Sequence, residues 1–240
     1  MNRLRDADQV FRQASSTAGI LKLQQAMTEA DLGRALTSLG KLEVGSSSFE
    51  RAVNVLRAAM RLIDETKAPR LWAELRYRLG QAFEYWGWRL VSCARAEEGM
   101  ANLQEARRIY EANLKERPRD KLPLAWAATQ SSMGHVLFLI GTHTDNATFI
   151  EDGERTLRAA LEERTEDRIR PDWLETQRYL ANTCRELGVR NSNRLQLEEA
   201  LNIFKLIQKE LDEGRMVPDA HEIGAVIAEL ESTLGQRKFV

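Results

Sequence analysis

Residues 126–141 read Trp126-Ala127-Ala128-Thr129-Gln130-Ser131-Ser132-Met133-Gly134-His135-Val136-Leu137-Phe138-Leu139-Ile140-Gly141. Here a large apolar residue precedes a glycine, Met133-Gly134, and seven positions later Ile140-Gly141 repeats the figure. The same frame recurs at Leu32-Gly33 to Leu39-Gly40, Leu79-Gly80 to Trp86-Gly87 and Leu180-Ala181 to Leu187-Gly188. The leading small residues are spaced by 47, 54 and 47, and Ala228 and Gly235 lie a further 47 beyond Ala181 and Gly188. A fixed register of this kind marks an internal repeat.

The one irregular spacing has a local origin. A second small residue follows the closing glycine by 12: Ala52 after Gly40, Gly153 after Gly141 and Ala200 after Gly188. In the second copy Ala106 follows Gly87 by 19, so seven extra residues lie within Trp88–Gly99. Seven residues are about two helical turns, which lengthens a helix without rotating its face; a longer loop satisfies the count equally.

Apolar residues recur at three and four rather than two, so each copy predicts two helices. The first opens at a proline, as in Pro123-Leu124-Ala125-Trp126 and Pro171-Asp172-Trp173, and is expected to end at the closing glycine. The second carries a stripe such as Phe49, Ala52, Val53, Leu56 and Met60, or Leu197, Ala200, Leu201, Phe204, Ile207 and Leu211. Close approach of paired helices needs small side chains, so Gly33, Gly80, Gly134 and Ala181 are expected to face Ala52, Ala106, Gly153 and Ala200. One pair cannot bury its stripe alone; stacked copies share a core.

The 240 residues hold 35 Lys+Arg against 36 Asp+Glu, a balance without the basic excess of a nucleic-acid binder. Met1–Asp6 lacks the apolar core of a signal peptide, and no run approaches the roughly 18 apolar residues of a span, so a soluble cytoplasmic protein with no membrane partner is expected. Two cysteines make neither a disulfide framework nor a metal cluster.

The Leu-Gly of the first helix and the small-x-x-x-large of the second (Ala52/Leu56, Ala106/Tyr110, Gly153/Leu157, Ala200/Phe204) resemble the tetratricopeptide repeat. Trp126-Ala127-Ala128-Thr129-Gln130, Thr176-Gln177 and Leu197-Glu198-Glu199-Ala200 are similar to a bacterial subgroup with extended units. The resemblance covers about residues 25–236. It implies an all-α, right-handed α-α superhelix, a tetratricopeptide-like solenoid. Its helix pairs are expected over 25–71, 72–124, 125–171 and 172–218, with capping helices over 1–24, where Leu4, Val10 and Phe11 offer an apolar face, and 219–236. The departures are a 47-residue unit against about 34, and a tryptophan eight rather than four residues before the small one (Trp72, Trp126, Trp173).

In that family the first helices line a concave groove. Carried over by distance from the glycine, the groove residues are Arg34, Thr37 and Ser38; then Tyr77, Gln81, Glu84 and Tyr85; then Ser131, His135, Phe138 and Leu139; then Arg178, Asn182, Arg185 and Glu186. Arg34, Tyr77, Gln81, Tyr85, Ser131, His135, Arg178, Asn182 and Arg185 are the candidate partner-binding set, expected to converge on one surface. Tyrosine supplies rigid area with a polar tip and arginine a planar fork for carboxylates. An acidic or C-terminal peptide with a hydrophobic anchor is the expected partner.

No catalytic constellation accompanies them. His143-Thr144-Asp145 lacks a third metal ligand and reads as a loop. His135 reads as a groove or hydrogen-bonded core histidine, Cys184 as core, and Cys93 has no neighbouring histidine. Glu97-Glu98, Glu162-Glu163 and Glu198-Glu199 read as solvated helix charges, and the glycines come singly rather than in a phosphate loop. No enzyme, metal or cofactor is expected. The expected function is an interaction scaffold or adaptor; the alternative is a regulatory receptor binding a small ligand or signalling peptide and acting on a separate effector. A monomer is expected, with a symmetric dimer through the C-terminal helix as the alternative.

Overall fold

The computed structural model describes residues 17–214 and 220–236. Among them every regular element is an α-helix: α1 Thr17–Leu42, α2 Ser47–Leu62, α3 Pro69–Ser92, α4 Ala96–Glu116, α5 Pro123–His143, α6 Ala147–Leu161, α7 Arg170–Arg190, α8 Arg194–Asp212 and α9 Ala220–Gln236. The protein is an all-α fold of repeated helix pairs. Most of the expected capping segment 1–24 lies outside the described residues; from Thr17 onward the chain already belongs to α1.

The chain forms two compact units, residues 1–117 and 118–240. In the first, α1 pairs with α2 and α3 with α4, and α3 also packs on α2 and α1. In the second, α5 pairs with α6 and α7 with α8; α7 also packs on α6 and α5, and α9 covers α8. Ile223 and Leu230 of α9 are buried in one cluster with Leu197, Phe204 and Ile207.

The small residues set how the pairs dock, and the side chains nearest the glycines are large ones that the sequence reading did not single out as their contacts. Gly33 lies beneath Leu56, Gly80 beneath Tyr110 and Gly134 beneath Leu157; a Cβ at each glycine would stand 2.5–2.6 Å from that side chain. The filler is thus the large residue four past Ala52, Ala106 or Gly153. In the third pair the small residues also meet, since a Cβ on Gly153 would stand 2.9 Å from Gly134 O. Seven residues on, Gly40, Gly87, Gly141 and Gly188 lie beneath Phe49, Leu103, Ile150 and Leu197. Antiparallel helices with two contacts seven residues apart on each side form a knob-and-gap zipper, because seven residues return to the same face.

The closing glycines do not end their helices, which corrects the expected boundary. Each first helix of the second unit runs two residues past its glycine, and the left-handed turn is made by Asp145 (φ 53) and Ser192 (φ 50). Asn146 N–H donates to Gly141 O at 2.8 Å, and Asn193 N–H to Gly188 O at 2.9 Å. These six-to-one bonds are Schellman closures. The same asparagines cap the next helix, Asn146 Oδ1 accepting from Thr148 N and Asn193 Oδ1 from Leu195 N, both at 3.0 Å. A three-residue connection therefore ends one helix and starts the next.

The seven extra residues of the second copy lengthen both helices and leave the loop alone. α3 runs five residues past Gly87 instead of two, and α4 starts seven before Leu103 where α6 and α8 start three before Ile150 and Leu197. Cys93–Arg95 forms the same three-residue turn, with Ala94 at φ 60 and Arg95 N–H donating to Leu90 O at 2.9 Å. Gly99 adds a further close crossing: its Cβ would stand 2.8 Å from Gly87 O.

Candidate functional site

Trp72, Trp126 and Trp173 occupy one position in their helices. Each backbone N–H makes the first bond of the helix, to Ala68 O, Leu122 O and Ile169 O at 2.8–3.0 Å. The tryptophan displaced by four residues is therefore an N-terminal feature of a longer first helix. The guanidiniums of Arg76 and Arg119 lie 5.9 and 5.0 Å from the Trp72 and Trp126 rings, within cation–π reach.

In the first unit the candidate residues stand on α1 and α3. Arg34 is exposed and pairs with Asp31 one turn earlier at 3.7 Å. Asp31 also takes Arg78 of α3 at 3.1 Å, and Arg78 reaches Glu74, which in turn accepts Arg117 Nη2 at 3.1 Å. Tyr77 sits in this network half-buried: its ring is 6.0 Å from Tyr110 and 5.7 Å from the Arg117 guanidinium, and its oxygen accepts Gln81 Nε2 at 3.2 Å. Glu84 and Tyr85 are buried. Tyr110 O–H donates to Glu84 at 2.6 Å, and Lys41 Nζ lies 3.5 Å from the Tyr85 ring centre. Thr37 is buried as well, donating to Gly33 O at 2.9 Å.

In the second unit they stand on α5 and α7. His135 stacks on Tyr179 with ring centres 4.0 Å apart and planes 11° apart. On the same tyrosine the Arg178 guanidinium rests at 5.4 Å. Arg178 forms no ion pair with any described residue, whereas Arg185 is tied to Glu229 of α9 at 3.4 Å. Asn182, one turn beyond Arg178, donates to Arg178 O at 3.2 Å. Phe138, Leu139 and Glu186 are half-buried along the same helices.

Ser131 is buried beneath this face. Thr176 O–H is committed to Asp172 O at 2.8 Å, so Ser131, 3.0 Å from Thr176 Oγ1, is the donor of that pair. Thr176 Oγ1 also accepts Arg164 Nη1 at 3.0 Å, and Arg164 reaches the Asp172 carboxylate at 3.2 Å. Arg164 is itself buried, and these bonds replace its lost hydration.

The α6–α8 face carries a different cluster. Arg158 bridges Glu154 and Glu199, each at 2.8 Å, and approaches Cys184 Sγ at 3.8 Å. The hydrogen bond to Arg158 holds the Glu199 carboxyl below the usual range, and that to Glu199 holds Arg158 above its own. Burial first, then Glu199 and Glu154, push the Cys184 thiol up, so it is a poor nucleophile. Cys93 is exposed on the α3–α4 turn.

Sequence reasoning missed Tyr179, the platform on which His135 and Arg178 rest. Its position two before the small residue holds Asp31, Arg78 and Ser132 in the other copies, so periodicity carried no aromatic signal there. Among the described residues no group of His, Cys, Asp and Glu is arranged to hold a metal, and no helix is long and apolar enough to cross a membrane.

No family model matches the chain, and no curated protein matches it. Among solved structures it is similar to one described as "DHF58 filament", at 14% identity and a TM-score of 0.39, covering 90% of this chain and 99% of that one.

Proposed function

We propose that the chain is a non-enzymatic, tetratricopeptide-type adaptor of the bacterial cytoplasm that binds an extended segment of a partner protein on its first-helix faces. The observation that carries this reading is the platform of the second unit. Arg178 is an arginine with no carboxylate among the described residues, held over a tyrosine that is itself braced by a stacked histidine. A cation already oriented on an aromatic ring loses little freedom when a carboxylate docks, and planar guanidinium suits a two-oxygen acceptor. Asn182 supplies a neutral polar contact one turn on. Half-buried Phe138 and Leu139 offer apolar area for an anchoring side chain, while Tyr179 is itself buried and braces the arginine from within. The fitting ligand is an acidic or C-terminal peptide with a hydrophobic residue near its carboxylates.

The test is an array of synthetic peptides, acidic and neutral, with free or amidated C-termini, probed with the folded protein. Acidic peptides with an apolar residue should be retained and lost with added salt, since exposed charges are screened within about 8–10 Å at 0.1–0.15 M. Arg178→Glu should abolish retention with the helix content unchanged. Retention indifferent to Arg178→Glu sinks the reading. Arg185 is a poorer probe, because reversing it also sets two carboxylates together at Glu229.

A further inference from the structure

α1 carries an uncovered face that is spaced for a like helix. Leu21, Thr28, Ala35 and Leu42 follow one another at seven, and Gln25, Leu32 and Leu39 fall between them, giving steps of four and three throughout. All seven are exposed. The alternation is the a/d seam of a two-stranded coiled coil, and here it runs for three heptads on the side away from buried Ala26 and Ala30, with buried Leu36 at its edge. In the sequence the same steps continue upstream through Ala18, Ala14, Phe11, Ala7 and Leu4.

The bare state of this face is peculiar to α1. Leu32 and Leu39 are 46% and 43% exposed, while residues at the same places in later copies, Leu79, Leu180 and Leu187, are 7%, 2% and 1% exposed. Those helices have a preceding second helix packed on them, α2 on α3 and α6 on α7. At the other end of the chain the exposed positions of α9 are small or polar, Ala225, Ala228, Glu229 and Ser232 among them.

We propose that α1 pairs with α1 of a second copy of this chain, in parallel and along this seam. Three features select a like copy over another occupant. The 3-and-4 spacing is self-complementary, each knob meeting a hole of identical make. No seam position is charged, so two copies meet without like-charge repulsion, and the net charge of -1 adds little more. Gln25, at an a position, meets its own counterpart only in the parallel register, where the two amides satisfy each other; a lone polar a residue is the device that fixes register in such pairs. The interface is isologous and closes at two chains. It lies on a different face of α1 from Arg34, so it stands apart from the peptide-binding reading.

The experiment is sedimentation velocity of the full chain over a concentration series. The expected species has twice the 27.4 kDa of one chain. Leu32→Glu with Leu39→Glu should weaken self-association by roughly 100-fold or more. Helix content should not change, because both side chains are already exposed. In a Cys93→Ser background, Gln25→Cys should form a cross-chain disulfide on mild oxidation. A parent that stays at one chain mass at every concentration overturns the proposal, as does a double variant that dimerises as tightly as the parent. Cross-linking of Leu21→Cys to Leu42→Cys, with none from Gln25→Cys, overturns the parallel register.

Discussion

Tyr110 fills the gap left by Gly80, its Cε1 standing 2.5 Å from where a Cβ on that glycine would be. The ring cannot swing away freely, because its hydroxyl is bound to buried Glu84 at 2.6 Å and it packs at a tilt on Tyr77, ring centres 6.0 Å apart. Gly80→Ala is therefore expected to destabilise by about 1–3 kcal/mol, the usual effect of overpacking. Gly224 in α9 has nothing within 4 Å of the same point. There the better helix propensity of alanine should dominate and stabilise by up to about 1 kcal/mol. Chemical denaturation of both variants checks the opposite signs; equal effects would mean that the contact does not govern docking.

Ala94 holds a left-handed conformation that costs a residue with a Cβ about 1–2 kcal/mol. Glycine removes that strain and adds back part of it as unfolded-chain entropy. Ala94→Gly should raise stability by roughly 0.5–1 kcal/mol. Ser192→Gly, in the equivalent turn, should follow in the same direction. A lowered midpoint for Ala94→Gly would show that the extended hairpin does not close as described.

Thr176→Val keeps the shape of the side chain and removes the oxygen that joins Ser131 to Arg164. Ser131 then has no partner at this junction and Arg164 loses one of its acceptors in a buried place. The expected loss is about 1–3 kcal/mol, larger than for an exposed threonine-to-valine change. Thr148→Val, on the exposed start of α6, is the comparison.

Glu199 is ionised and bound to Arg158 in the folded state, and its folded pKa lies below the ordinary 4.5. A depressed carboxyl contributes stability above its unfolded value and loses it as pH falls through the folded one. The tie between α6 and α8 is therefore intact at neutral pH and released in acid. Thermal melts between pH 7 and pH 3 should fall less steeply for Glu199→Gln than for the parent. Identical slopes would mean that the pair contributes nothing measurable, as many exposed ion pairs do.

Much of this architecture was written locally. A small residue, a large one before it and a repeat after seven mark one face of one helix, and a fixed step of 12 to the next small residue pairs that helix with its successor. These are short-range periodicities, and backbone geometry alone converts them into faces. The seven-residue insertion was legible as a count, since it preserves the face whichever way it is built. What the periodicity leaves open is the offset between paired helices. Two antiparallel helices can slide by a turn and still match small against small, so only packing decided that Leu56 and Tyr110, rather than Ala52 and Ala106, fill the glycine gaps.

The same limit applies to the candidate site. Distance from the glycine places Arg178, Asn182 and His135 on their helices, and Arg178 and His135 do stand against one tyrosine. It does not say that Ser131, Glu84 and Tyr85 lie under the surface, because burial depends on how closely the neighbouring helix approaches. Nor could it set Asp145 and Ser192, rather than a glycine, in the left-handed turns. Local preference there favours glycine, and the tertiary fold overrides it: Gly141 and Gly188 are held inside their helices by Ile150 and Leu197, where no larger side chain fits.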